Sequence, residues 1–165
     1  MNQRIQRITP FLWFDHDAEA AADFYVSVFD DSRILHVARY GKSGAQASGQ
    51  AEGAVMTVSF ELDGQAFLAL NGGPAFPLTP AVSFVVNCRD QREIDRYWAA
   101  LADGGDERAQ QCGWLRDRFG VSWQVVPVQM TELMAGDPVR AERVMAEVLK
   151  MKKLDLDALQ HAAAG

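Results

Sequence analysis

Cysteine is nearly absent from this chain of 165 residues, which carries only Cys88 and Cys112. Two isolated thiols make no disulfide framework and lack the spacing of a zinc site, so the sequence suits a reducing compartment. Positive charge is also short, with 16 Lys and Arg against 22 Asp and Glu and a formal net charge of −6. The nearest basic cluster, Lys150, Lys152 and Lys153, falls where a helix should end, a place that suits cations on dipole grounds. No nucleic-acid partner is expected, because phosphate tracking needs a basic stripe. Nothing approaches the roughly 20 apolar residues of a membrane span, and MNQRIQRITPFLWF at the start has no secretory h-region. The expectation is a cytoplasmic protein with no membrane partner. Its 48% hydrophobic and 23% charged residues are ordinary for one globular domain or two half-domains.

The informative pattern is a repetition. Ile8 to Phe14 is an apolar, aromatic-rich run of strand type. After Asp15-His16-Asp17, Ala21, Phe24, Tyr25, Val28 and Phe29 fall on one helical face, with Asp17 as N-cap. Val82 to Asp90 followed by Gln91 to Leu101 repeats this: a strand, an aspartate cap, and a helix bearing Tyr97-Trp98. Asp17 and Asp90 are 73 residues apart, as are Phe24 and Tyr97. Strand-like segments follow each helix: Ile34 to Tyr40, Val55 to Leu62 and Ala66 to Leu70 in the first half, turning at Asp63-Gly64. Gly41 to Gly53 reads as a mobile loop. In the second half, Gly104-Gly105 breaks the chain and a shorter hairpin closes on Gly120 to Val126, with Phe119-Gly120 in the place of Asp63-Gly64. Each half thus reads β-α-β-β-β. The predicted fold is α+β: a first module over 1–74, a second over 75–130, and a helical extension over 131–165. In that extension Thr131 opens a short helix and Asp137-Pro138 starts the next, with Val144, Met145, Val148 and Leu149 as its stripe. Asp155 caps a last helix.

Three segments in this order, ITPFLWFDHDAEAAADFYVSVF, NGGPAF and CGWLRDRFGVSWQVVP, resemble the PhnB-like family that carries the label 3-demethylubiquinone-9 3-methyltransferase. That family lies within the vicinal oxygen chelate (glyoxalase/bleomycin resistance/dioxygenase) superfamily, and the resemblance covers about residues 5 to 130. It implies two tandem βαβββ modules whose sheets form a cup, in a homodimer. It also implies a divalent metal held by His at the opening of a module and Glu on its last strand. Carried over, those places fall at Thr9 or Pro10, between Phe67 and Ala69, at Ser83 and at Gln124, where no His or Glu stands. Neither metal nor cofactor is therefore expected. Methyl transfer also fits poorly, since the first strand-to-helix turn, Asp-His-Asp, has no glycine to bring backbone close to S-adenosylmethionine.

Other chemistry is weakly signalled. His16 lies between Asp15 and Asp17, but consecutive residues rarely converge on one ion, and a solvated cap is the simpler reading. His36 and His161 have no evident partner. Cys88 reads as core, while Cys112 is the candidate for an accessible thiol, with no histidine near it in sequence. Alternation puts Phe11 and Trp13 on one face of the first strand and Thr57, Ser59 and Glu61 on one face of another. In the second module it groups Ser83 and Asn87 with Ser122 and Gln124, and Trp114 is able to line the same cup. With Asn71 at the head of the linker, these form the expected ligand cleft: Phe11, Trp13, Glu61, Asn71, Ser83, Asn87, Trp114, Ser122 and Gln124. Aromatic walls with amides and hydroxyls suit a small, partly aromatic or apolar molecule. A superfamily enzyme of lyase or isomerase type, the methyltransferase of the label, and a dimeric interaction protein with a vestigial pocket stay open. The Arg116 to Gly120 turn is expected to hold its charges in solvent.

Overall fold

The computed structural model describes residues 5–165 and divides into two compact units after Leu78. In the first unit the elements are β1 (Phe11–Phe14), α1 (Ala18–Val28), β2 (Arg33–Arg39), α2 (Lys42–Ser48), β3 (Val55–Leu62) and β4 (Gln65–Asn71). They form a four-stranded sheet in the order β1-β4-β3-β2, with β1 parallel to β4 and the other pairs antiparallel. The β3–β4 hairpin closes through two residues, Asp63 and Gly64, with φ of 48° and 72°. Positive φ at both positions is what a type I′ turn requires, which explains the Asp-Gly pair.

Alternation makes one face of this sheet the core. Leu12, Phe14, Val58, Phe60, Leu62, Phe67 and Ala69 are buried, and so are Ala18, Ala21, Ala22, Tyr25 and Val28 of α1. Alanines at the contact let the helix sit close, and Tyr25 stacks over Phe60, which stacks over Phe67. Burying each such ring is worth about 1.5–3 kcal/mol. The α1 stripe is therefore rotated from the expected one: Phe24 and Phe29 are only half-buried. Asp17 stands at the N-cap without making a side-chain cap. The stretch expected as a mobile loop contains α2, set between Gly41 and a left-handed Gly49, with no buried residue of its own.

The second unit holds β5 (Phe84–Cys88), α3 (Gln91–Ala102), a single 3-10 turn (Glu107–Ala109), β6 (Trp114–Arg116) and β7 (Ser122–Pro127). Its sheet has three strands in the order β5-β7-β6, one fewer than the duplicated pattern predicts. The absent strand is displaced by the Gly104-Gly105 break. A Cβ at Gly105 would lie 2.3 Å from the Arg116 carbonyl oxygen, so this chain segment passes too close to β6 for any other residue. Asp106 then caps the 3-10 turn, and pairing resumes only as an isolated bridge between Gln111 and Trp114. α3 starts on Asp90, whose carboxylate accepts from the Glu93 amide at 3.0 Å, while Glu93 reaches back to the Arg89 amide at 2.7 Å. That is close to a capping box.

The extension forms α4 (Met130–Met134), α5 (Pro138–Val148) and α6 (Leu156–Ala164). Asp137 and Asp155 cap the last two as expected, accepting from the Val139 and Ala158 amides. Val144, Val148, Leu154 and Leu159 make their core, with Cys112 and Val126 of the second unit's sheet region packed against it. Met145 and Leu149, expected in the stripe, are exposed instead. Lys150 pairs with Glu147 just past α5, and Lys153 with Asp95 of α3, so the basic cluster serves the fold. Among the described residues no helix is long and apolar enough to cross a membrane.

Candidate functional site

In each unit a helix covers one sheet face and leaves the other free of it, although in the second unit Val126, at one end of that other face, packs against the extension and Ser122 is buried. Most of the expected cleft residues lie on the uncovered faces, because period two sends their side chains opposite to the core. In the first unit that face carries Phe11, Trp13, Thr57, Ser59 and Glu61. Phe11, at the start of the edge strand β1, is 53% exposed. Trp13 is fixed: its indole N–H donates to the Gly73 carbonyl at 2.8 Å, and its ring meets Phe76 edge-on at 5.0 Å. A Cβ at Gly72 would come within 2.3 Å of that indole, so only glycine fits there. Glu61 is not a free carboxylate. It faces Arg33 across the β2–β3 register, with Oε2 at 2.6 Å from the guanidinium.

Asn71 does not belong to the uncovered face. Register pairs it with buried Phe14, and it is itself only 8% exposed. Its carbonyl oxygen accepts from the Ala18 amide at 2.8 Å, its amide donates to the Val55 carbonyl at 3.1 Å, and the Tyr40 hydroxyl donates to its backbone oxygen at 2.6 Å. Asn71 is thus the cap of α1, the job expected of Asp17, and leaves the cleft set. His16 makes only surface contacts, its ring nitrogens 3.4 Å from Asp15 and 3.5 Å from Asp17.

In the second unit the register aligns Ser122 beside Arg116, Gln124 beside Val85 and Trp114, and Asn87 beside Val126, with Ser83 just ahead of β5. The Gln124 amide nitrogen donates to the Ser83 hydroxyl at 2.9 Å. Ser122 is buried, Trp114 half-buried and Asn87 exposed. The opposite face, with Phe84, Trp123, Val125 and Leu115, packs under α3, so Val121, Trp123 and Val125 are core as their alternation requires.

The turn before β7 departs from expectation. Asp117 is 3% exposed, and its carboxylate accepts from the Phe119 and Val121 amides at 2.8 and 3.0 Å and from the Trp123 indole at 2.8 Å. One available signal was an aspartate three residues before Gly120, since Asp side chains commonly bond the backbone two residues on. The neighbouring charges are paired too: Arg116 and Arg108 both reach Asp106, and Arg118 reaches Asp103.

The two cysteines stand in different surroundings. Burial pushes the Cys88 thiol up to about 12, with the charges of Glu93 and Asp90 adding to the shift, so it stays protonated near neutrality. Cys112 adopts a left-handed φ of 53° and is used as a docking point: its amide donates to Met151 and that of Gly113 to Lys152, each at 2.8 Å.

The donor chemistry of the superfamily metal positions is threonine or proline, apolar residues, a serine and a glutamine. Ser83 and Gln124 are neutral and bonded to one another, so this set does not fit a divalent ion. Among the described residues no group of three or more His, Cys, Asp or Glu is placed to hold a metal. S-adenosylmethionine fits no better. Both strand-to-helix turns lack glycine, and the first amides of α1 and α3 are already taken by Asn71 and Asp90.

The family model for 3-demethylubiquinone-9 3-methyltransferase matches residues 6–126. The chain belongs to that family. A PhnB protein from Bacillus cereus, itself carrying the same methyltransferase label, is 37% identical over 74% of this chain and 100% of its own, with a TM-score of 0.63. PA1353 from Pseudomonas aeruginosa is 22% identical over 74% of this chain and 98% of its own, with a TM-score of 0.59. The fosfomycin resistance protein FosX from Mesorhizobium loti shares the fold at 16% identity and a TM-score of 0.53, over 81% of this chain and 100% of its own. No curated protein matches the chain. These neighbours place this PhnB-like family member in the glyoxalase/bleomycin resistance/dioxygenase fold, with α+β modules of four and three strands.

Proposed function

We propose that this PhnB-like protein binds a small, partly aromatic or apolar molecule against its uncovered sheet faces, without the divalent metal of its superfamily. The observation that carries this is the Gln124–Ser83 hydrogen bond, which joins through a neutral amide and hydroxyl two of the four positions where metal ligands belong by resemblance. Each unit carries groups that recognise organic surfaces: Trp114 on the same face of the second unit as that bond, and Phe11 and Trp13 on the uncovered face of the first. Aromatic side chains supply contact area at low entropic cost, while the amide and hydroxyl orient polar atoms of the ligand. A fold neighbour named for resistance to fosfomycin agrees with a ligand of this scale. A homodimer is the assembly proposed for this activity, and a monomeric mass in light scattering contradicts it.

A thermal-shift screen of aromatic acids, phenols, quinones and S-adenosylmethionine, each with and without chelator, tests the reading. Ligands that bind the folded state raise the melting temperature according to RT ln(1 + [L]/Kd). Aromatic probes should do so equally with chelator present, and Gln124→Ala should weaken them. A response that needs added divalent metal, or none from any probe, overturns the proposal. A shift from S-adenosylmethionine alone restores the methyltransferase reading.

A further inference from the structure

We infer that the uncovered face of the second sheet recognises an oxyanion, a carboxylate or phosphonate on an apolar body, through Arg116 with the Ser83 hydroxyl on the same face. This deepens the proposed binding function and rests on it. Arg116 follows the buried Leu115 on β6, so alternation turns it to the uncovered face with Trp114. Register sets Arg116 beside the buried Ser122, with Trp114 and Gln124 paired in the adjoining row, and the Gln124 amide reaches Ser83 just ahead of β5. A guanidinium and a hydroxyl on one face make an oxyanion-binding combination: the planar fork matches two oxygens, and a serine O–H donates to a third. The Ser83 oxygen accepts from Gln124, which leaves its own proton to donate outward.

The charge around Arg116 supports the same conclusion. Asp106 is shared between two guanidinium groups, Arg108 at 3.0 Å and Arg116. Hydrogen bonds from Arg108 and Arg116 hold its carboxyl well below the usual carboxylate range, so it stays ionised. One carboxylate against two arginines leaves this trio a surplus positive charge. The Asp106 contact also fixes the Arg116 side chain, so less rotamer freedom is lost when an anion arrives. Arg116 keeps 39% of its side chain exposed, enough to meet a ligand. Arg118, two residues on, pairs with Asp103.

Dissociation constants for benzyl alcohol, phenylacetate and phenylphosphonate on the wild-type protein, by calorimetry, provide the test. At least one anion should bind about tenfold tighter than the alcohol, the scale of a charged hydrogen bond. Which anion wins distinguishes a carboxylate from a phosphonate ligand. Arg116→Gln should bring the three probes to parity and Arg118→Gln should not. Asp106→Asn, which keeps the guanidinium and removes its carboxylate partner, should tighten anion binding, an effect no purely structural ion pair gives. Equal binding of all three probes to wild type, or an anion preference that survives Arg116→Gln, overturns the inference and leaves the binding function standing. Binding of none of them counts against both.

Discussion

In the first unit the start of α1 is closed by Asn71, 53 residues further along the chain, whereas in the second α3 is closed by Asp90 within its own turn. The hairpins differ in the same sense. In the first unit the Asp63 and Gly64 amides donate to the Ser32 hydroxyl and the Asp31 carbonyl, while the second builds its turn around the buried carboxylate of Asp117. A strand-helix-hairpin plan thus tolerates different solutions to the same two problems. What must be preserved is that orphan amides find an acceptor and that the turn residues reach their conformation. Where the acceptor comes from far away, it also ties the helix to the sheet.

Substitutions at these places test that contrast, and their costs should fall in a definite order. Asp117→Ala strips an acceptor from three donors in a buried turn and should cost about 3 kcal/mol or more in urea unfolding. A cost no larger than that of a surface change would mean that the turn holds itself. Asn71→Ala should cost about 2 kcal/mol, because it orphans the Ala18 amide and the Val55 carbonyl together. The local cap is cheaper: Asp90→Ala should lose about 1 kcal/mol. If Asp90→Ala proved the costlier of the two, the distinction between remote and local capping would fail. Asp17→Ala and Asp63→Asn should both stay within about 0.5 kcal/mol of wild type, the first because Asp17 makes no cap and the second because Asn-Gly serves a type I′ turn equally well.

Acid sharpens the comparison. Glu93 has its carboxyl lowered by hydrogen bonds from the Arg89 side chain and amide, and Asp95 by those from Lys153 and Gln91. A depressed folded-state value means stability that is full above the unfolded carboxylate range, about pH 4.3 for Glu, and is lost as pH falls through the folded value. The difference in urea midpoint between wild type and Glu93→Gln should therefore be full at pH 6 and shrink below pH 4. A difference independent of pH would remove the charge from the explanation.

Features set by neighbouring residues were legible in the sequence. Period two fixed which side chains of β1, β3, β5 and β7 leave the core, and Asp63-Gly64, Asp137-Pro138 and Asp155 announced their turns and caps. Asn71 was opaque because its partner is 53 positions away and an asparagine before two glycines looks like linker. The missing strand of the second unit was hidden for a related reason. Nothing local in Asp106 to Gln110 shows that Arg116 and Arg108 converge on one carboxylate and hold that segment as a turn. α2 escaped because it buries nothing, so no apolar stripe marks it. Asp117 and Arg116 were read as solvent-facing charges, since polarity in a turn hides whether the group is buried. The alternation that put Gln124 and Ser83 on one face did survive, although it did not predict that they bond each other.

Elemental analysis of protein purified without chelator, set against its ability to bind an aromatic probe, bears most directly on the central claim. With Gln124 and Ser83 satisfying one another, bound Zn, Ni, Mn and Fe should each be far below one per chain while probe binding is intact. Stoichiometric metal whose removal abolishes probe binding would contradict the account.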